Sequence, residues 1–136
     1  MADCVFCKII AGEIPAAKLL EDERTISFLD ISPVNRGHAL VVPKRHVAGL
    51  LDLADEEICA AMLMVRRVAA AVKAATGCPA FNVLQNDGEA AGQLVPHAHF
   101  HVIPRSPDDG FKPGWRQLKY AEGELELLQA AIRRHL

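Results

Sequence analysis

The longest regular pattern in the chain runs from Asp55 to Ala75. There Ile58, Met62, Val65, Val68 and Val72 recur at steps of three and four beneath a run of alanines. That period is one face of an α-helix, and Asp55 and Gly77 suit its start and stop. Elsewhere the apolar positions fall in short runs between breakers. "AKLLED" and "RTISFLD" read as two strands around a charged turn at Glu21 to Glu23, with Ile26 and Phe28 on one face. After the breaker-rich "ISPVNRG" comes "HALVVPK", a third strand stopped by Pro43. "AFNVLQN" is a fourth strand, "DGEAAGQ" a glycine-rich loop and "HAHFHVIP" a fifth strand. A short helix after Cys4 ends at Gly12 and Pro15, and "DDGFKPGW" reads as irregular. Glu122 to His135 forms a closing helix with Leu125, Leu128 and Ile132 on one side. Strands in hairpin-like succession, with one helix between the third and fourth, predict an antiparallel α+β domain and not repeated βαβ units.

Composition narrows the class without naming a chemistry. At 136 residues the chain fits one domain, 1–136, and 51% apolar with 24% charged residues is ordinary for a globular protein. Net charge is −2 and no basic block occurs, so there is no electrostatic footprint for nucleic acid or an anionic membrane. "MADCVFCKII" lacks the basic and long apolar segments of a signal peptide, and Arg66 and Arg67 break the most apolar window. A cytoplasmic enzyme or binding protein is expected. Its thiols are then reduced, and Cys59 and Cys78 read as small apolar residues.

The histidines change the picture. His97, His99 and His101 take alternate positions in "VPHAHFHVIPR", half of the six histidines in five residues. On a strand they would share one face, about 6.6 Å apart at the backbone, with Ala98, Phe100 and Val102 on the other. Such a face could be merely solvated, could bind a metal, or could attack phosphorus, since a neutral imidazole is nucleophilic at cellular pH. "CVFC" is likewise open: a redox pair, for which the antiparallel layout is the wrong setting, or half of a tetrahedral zinc site.

"HAHFHVIPR" resembles the signature of the histidine triad (HIT) family, His-x-His-x-His followed by two apolar residues. The likeness runs through nearly the whole chain. "FCKIIAGEIPAAKLLEDERTISFLDISPVNRGHALVVPKRHV" is similar to the N-terminal half of the branch that holds the nucleoside phosphoramidases, and "NDGEAAGQLVPHAHFHVIPR" to its active-site half. The resemblance implies a HIT-like fold, with roughly five antiparallel strands, one long helix, a short N-terminal helix and a C-terminal helix. It implies a hydrolase or transferase working at the α-phosphate of a purine nucleotide through a covalent nucleotidyl-histidine. By position, His99 matches the nucleophile, His101 the residue that contacts the phosphate and assists the leaving group, and His38 a further histidine near the α-phosphate. Asp30 matches the carboxylate that binds the ribose hydroxyls, Phe6, Phe28 and Ile31 the apolar slot for the base, and Asn86 and Gln93 polar groups around the phosphate and leaving group. Leu94 stands where relatives often carry a serine that can hydrogen-bond the leaving group.

The zinc-bearing HIT subset, like the galactose-1-phosphate uridylyltransferase relatives, completes its cysteine pair with two distant histidines. The matching set here is Cys4, Cys7, His46 and His97, which implies a structural zinc. Other HIT proteins lack the cysteines, so the metal would serve the structure and not the chemistry, and no organic cofactor is implied. The family also implies a homodimer with an intermolecular sheet. Adenosine 5′-phosphoramidates or adenylylated amines are the expected substrates, with dinucleoside polyphosphates as the alternative. A non-catalytic nucleotide-binding or scaffolding protein, and a metal-handling protein, are the competing classes.

Overall fold

The structure is a computed structural model and describes residues 3–111 and 114–136. The elements are α1 (Val5–Ile10), β1 (Lys18–Glu21), β2 (Thr25–Leu29), β3 (Ala39–Pro43), α2 (Asp55–Thr76), β4 (Ala80–Leu84), β5 (Phe100–Arg105) and α3 (Glu124–Arg133). Five strands form one antiparallel sheet in the order β1-β2-β3-β5-β4. The α+β architecture agrees with the sequence pattern.

Alternation along the central strands sorts the residues onto two faces. Ala39 and Val41 of β3, with Phe100 and Val102 of β5, pack under Ala61, Met64, Val65, Val68, Ala69 and Val72 of α2. Leu40 and Val42 of β3, with Ile26 and Phe28 of β2, point the other way and pack with Phe6 of α1. The helix stripe differs from its sequence reading at one place: Met64 is buried, whereas Met62 is 43% exposed. Alanines at 61 and 69 let the helix lie close on the sheet, and that rotation turns Met62 outward. The Glu57 carboxylate takes the Ala54 amide at the helix start, and Gly77 ends it in the left-handed conformation.

α3 is two residues shorter at each end than its sequence reading. Its apolar residues Leu125, Leu128 and Ile132 are 53%, 43% and 59% exposed. Within "DDGFKPGW", Lys112 and Pro113 lie outside the described residues.

One turn bears directly on the site. Gly37 sits at φ +94° just before β3, and a Cβ there would lie 2.7 Å from Thr76 Cγ2. Gly37→Ala is therefore expected to cost about 1–3 kcal/mol in urea unfolding, from backbone strain and this overlap together. A change below about 0.5 kcal/mol, the ordinary scale of a neutral surface substitution, would show that the turn relaxes freely.

Candidate active site and metal centre

The sheet face opposite α2 gathers most of the candidate residues. A cavity of about 500 Å³ opens there between α1, the ends of β2 and β3, β5 and the loop before β5. Phe6, Phe28, Asp30, Ile31, His38, Asn86, His99 and His101 all line it, and so does Leu94. Phe6 and Phe28 are buried and meet edge to face at 5.7 Å, while Ile31 stands 94% exposed at the rim. Asp30 accepts the Ser32 amide at 2.8 Å, an Asx-type turn that fixes the carboxylate at the mouth. Gln93 is absent from the lining. Its amide oxygen accepts from Gly88 N–H, and its amide nitrogen donates to the Ala48 and Val95 carbonyls at 2.7 and 3.0 Å, so it braces the loop.

The three histidines do not share one strand. β5 begins at Phe100, so only His101 lies within it, and His97 and His99 occupy the irregular approach. The β3–β5 register would set Pro43 opposite Ala98, and proline has no N–H with which to continue the ladder. Ala98 instead donates its amide to the Val47 carbonyl at 2.8 Å. The departure from the strand gives each imidazole its own partners.

His99 donates from Nδ1 to the His97 carbonyl at 2.7 Å, which leaves its Nε2 as the bare nitrogen. The Phe6 ring packs edge to face on it at 5.0 Å. His101 lies 4.9 Å from His99 between ring centroids, and its Nδ1 is 2.8 Å from His38 Nε2. Burial lowers the affinity of these rings for a proton. For His38 and His99 the nearby Asp30 carboxylate partly offsets it. His101, with His99 and His38 beside it as well, is held down to about 4. The rings are therefore neutral near pH 7, and a neutral imidazole has a lone pair to offer.

His97 turns away from the cavity. Its Nε2 donates to the Pro43 carbonyl at 2.7 Å, so its Nδ1 lone pair faces the thiols. That nitrogen lies 3.4 Å from Cys4 Sγ, 3.6 Å from Cys7 Sγ and 3.2 Å from His46 Nδ1, and Cys7 Sγ is 3.3 Å from His46 Nδ1. Zinc–ligand bonds of about 2.3 Å to sulfur and about 2.0–2.1 Å to nitrogen imply tetrahedral edges of about 3.3 Å between nitrogens, about 3.6 Å between nitrogen and sulfur and about 3.8 Å between sulfurs. These four edges fit a tetrahedral cation, all four donor atoms lie within 4.8 Å of one another, and the carbonyl on His97 Nε2 is a typical outer partner of a ligating imidazole. Burial and the neighbouring Cys4 push the Cys7 thiol up, so a cation is what would make a thiolate pair favourable.

Several contributors escape sequence reading because they are backbone groups or distant loops. The carbonyl of Pro43 and the amide of Val34 set imidazole tautomers, and such backbone groups carry no sequence signature. Asp87 accepts the Leu50 amide at 2.6 Å, and a Cβ on Gly49 would collide with its carboxylate at 2.5 Å. This contact and Gln93 fasten the loop before β5 to the segment just after His46. The only local sign of it is an Asp-Gly pair in a glycine-rich loop.

Residues 11–108 match the family model described as the HIT domain. The chain is 41% identical over 130 residues to an adenosine 5′-monophosphoramidase of Schizosaccharomyces pombe, covering 95% of each chain. The crystal structure of a HIT family member from Bacillus subtilis is 41% identical and superposes with a TM-score of 0.92, covering 98% of this chain and 97% of the other. A zinc-bound histidine triad family protein from Mycobacterium smegmatis is 38% identical with a TM-score of 0.76, covering 98% and 95%. With its fold, its histidine cluster and these matches in agreement, the chain belongs to the HIT family.

Proposed function

We propose that this chain hydrolyses adenosine 5′-phosphoramidates and adenylylated amines at the α-phosphorus, releasing AMP through a nucleotidyl intermediate on His99. The observation that carries this reading is the His99 ring, tied through Nδ1–H to the His97 carbonyl so that its bare Nε2 serves a cavity walled by Phe6 and Phe28. In the first step Nε2 attacks phosphorus in line, the phosphorus–nitrogen bond to the amine breaks, and the amine leaves after taking up one proton. In the second, water displaces His99, AMP departs and the proton returns to solvent. The net cost is one water. Little covalent work falls to other side chains, so positioning supplies most of the rate. Phe6, Phe28 and Ile31 take the purine, Asp30 the ribose hydroxyls, and Asn86 and His101 the phosphate; Gln93 acts by shaping the loop.

The fission-yeast relative is named for this activity. Among the described residues, no lysine or arginine lines the cavity, so bridging phosphates of a dinucleoside polyphosphate would find no cationic partner. Cys4, Cys7, His46 and His97 would hold a structural zinc, which supplies a fixed cross-link between α1 and the approach to β5. Residues 1–136 act as one domain. No helix among the described residues is long and apolar enough to cross a membrane, in keeping with a cytoplasmic enzyme. β4 is an open edge strand exposed along its length, with Phe81 and Val83 each 41% exposed, and it supports a homodimer through a continued sheet.

The test is a substrate comparison with wild-type protein. Adenosine 5′-phosphoramidate and an AMP-alkylamide should be hydrolysed with kcat/KM roughly 100-fold above that of diadenosine tetraphosphate, a difference of about 3 kcal/mol. The reverse order would install the polyphosphate reading, and nucleotide binding without AMP release would make the protein a binding module.

A further inference from the structure

The phosphoramidase reading leaves open what His38 does and in which protonation state His101 meets the substrate. We propose that His38 is a positioning residue: with the Val34 amide it locks His101 as a neutral imidazole with its proton on Nε2, a fixed hydrogen-bond donor to the α-phosphate and not a proton-transferring imidazolium. The catalytic part of this proposal rests on the phosphoramidase reading; the lock itself does not.

The chain of bonds starts from a group that can only donate. The backbone N–H of Val34 lies 3.1 Å from His38 Nδ1, so Nδ1 must be bare and the neutral ring carries its proton on Nε2. Two groups compete for that proton. His101 Nδ1 is at 2.8 Å, whereas the Asp30 carboxylate is at 3.7 Å, beyond hydrogen-bond reach. His101 Nδ1 is therefore the acceptor, and its own proton sits on Nε2. The reverse arrangement would require a proton on His38 Nδ1 pointing at the Val34 N–H, two donors head to head. Adding a second proton to His101 would set N–H against N–H across the same 2.8 Å. Burial, with His99 from the approach to β5 and His38 from the turn before β3 beside the ring, holds it down to about 4 against the opposing pull of Asp30 from the end of β2, in accord with that conflict.

The turn that presents the Val34 amide is itself held, with His38 N–H donating to the Asn35 carbonyl at 3.0 Å. His101 lines the cavity, and Nε2 is its free nitrogen. A neutral N–H fixed in place stabilises charge developing on a phosphoryl oxygen without reorganising during the reaction. The proton that the departing amine gains then comes from solvent, the same pool that receives one when water displaces His99, and both hydrogen bonds of the lock survive the reaction.

Long-range nitrogen–proton NMR of the labelled, ligand-free protein at pH 7 reads which ring nitrogen is protonated. Wild-type His101 should be a single Nε2–H tautomer. His38→Asn can accept from Val34 but is too short to reach His101, so the His101 ring should become a tautomeric mixture and kcat/KM for adenosine 5′-phosphoramidate should fall roughly 100-fold, the scale of one lost charge-stabilising donor. His38→Gln sets an amide nitrogen near the place of Nε2; it should restore the Nε2–H tautomer and recover at least about tenfold over His38→Asn. A proton on Nδ1, or on both nitrogens, of wild-type His101 would overturn the lock without any variant. Equal activity loss in the two variants with an unchanged tautomer would overturn the positioning role. If the tautomers behave as described but wild type releases no AMP, the phosphoramidase reading fails and the lock stands.

Discussion

His99→Ala should form no adenylyl adduct and should release AMP from adenosine 5′-phosphoramidate on the order of 10⁴-fold more slowly than wild type. The size follows from what is lost. Alanine removes the ring whose unprotonated Nε2 is fixed by a backbone carbonyl beside the Phe6 wall. The remaining site still binds nucleotide, so KM or nucleotide affinity should change far less than kcat, the pattern of a group that acts in the transition state. His99 is buried but makes one hydrogen bond through its side chain, so the variant should fold. Intact-mass and peptide mass spectrometry after brief exposure to substrate locate the adduct. Turnover within tenfold of wild type, or an adduct on a different residue, would end the covalent mechanism.

The second large effect concerns the metal. Purified wild type is expected to carry about one zinc per chain and Cys4→Ala essentially none, with a loss of about 3–5 kcal/mol in unfolding free energy, the upper range that accompanies loss of a structural metal. Elemental analysis and chemical denaturation read the two quantities separately. Equal zinc content in the two proteins would sink the assignment. Activity should fall with the metal although no step passes through it. His97 would ligate through Nδ1 while its carbonyl orients His99, and Phe6 sits between Cys4 and Cys7 in the chain and packs on His99 in space. Loosening the ligands thus loosens both the nucleophile and a wall of the base slot. The loss should resemble a defect in orientation, milder than His99→Ala.

Gln93 shows where resemblance and folded structure part. Its position in the motif suggests a polar group around the phosphate and leaving group, yet its amide is spent on the Gly88 amide and Val95 carbonyl of the loop and on the Ala48 carbonyl after His46. Leu94, its neighbour, faces the cavity at 93% exposure. The cavity is therefore apolar at that point, and the brace behind it is polar.

Local periodicity was enough for the elements, because a helix or strand buries one face and that demand is written into every third, fourth or second residue. α2, the five strands and the antiparallel α+β class could all be inferred that way, whereas Phe6, Phe28 and the histidines became joint candidates through the family resemblance. Periodicity is misleading at "HAHFH", where even spacing places all three histidines on one strand. Pro43 on the neighbouring strand lacks the amide that would extend the ladder, so His97 and His99 leave the sheet and take different backbone partners. Which ring nitrogen is bare depends on which carbonyl or amide lies within 3 Å, and those groups are common to nearly every residue. Side-chain identity and the family resemblance name the candidates; only the fold brings a particular carbonyl or amide to a particular ring and so fixes which nitrogen of each histidine is free.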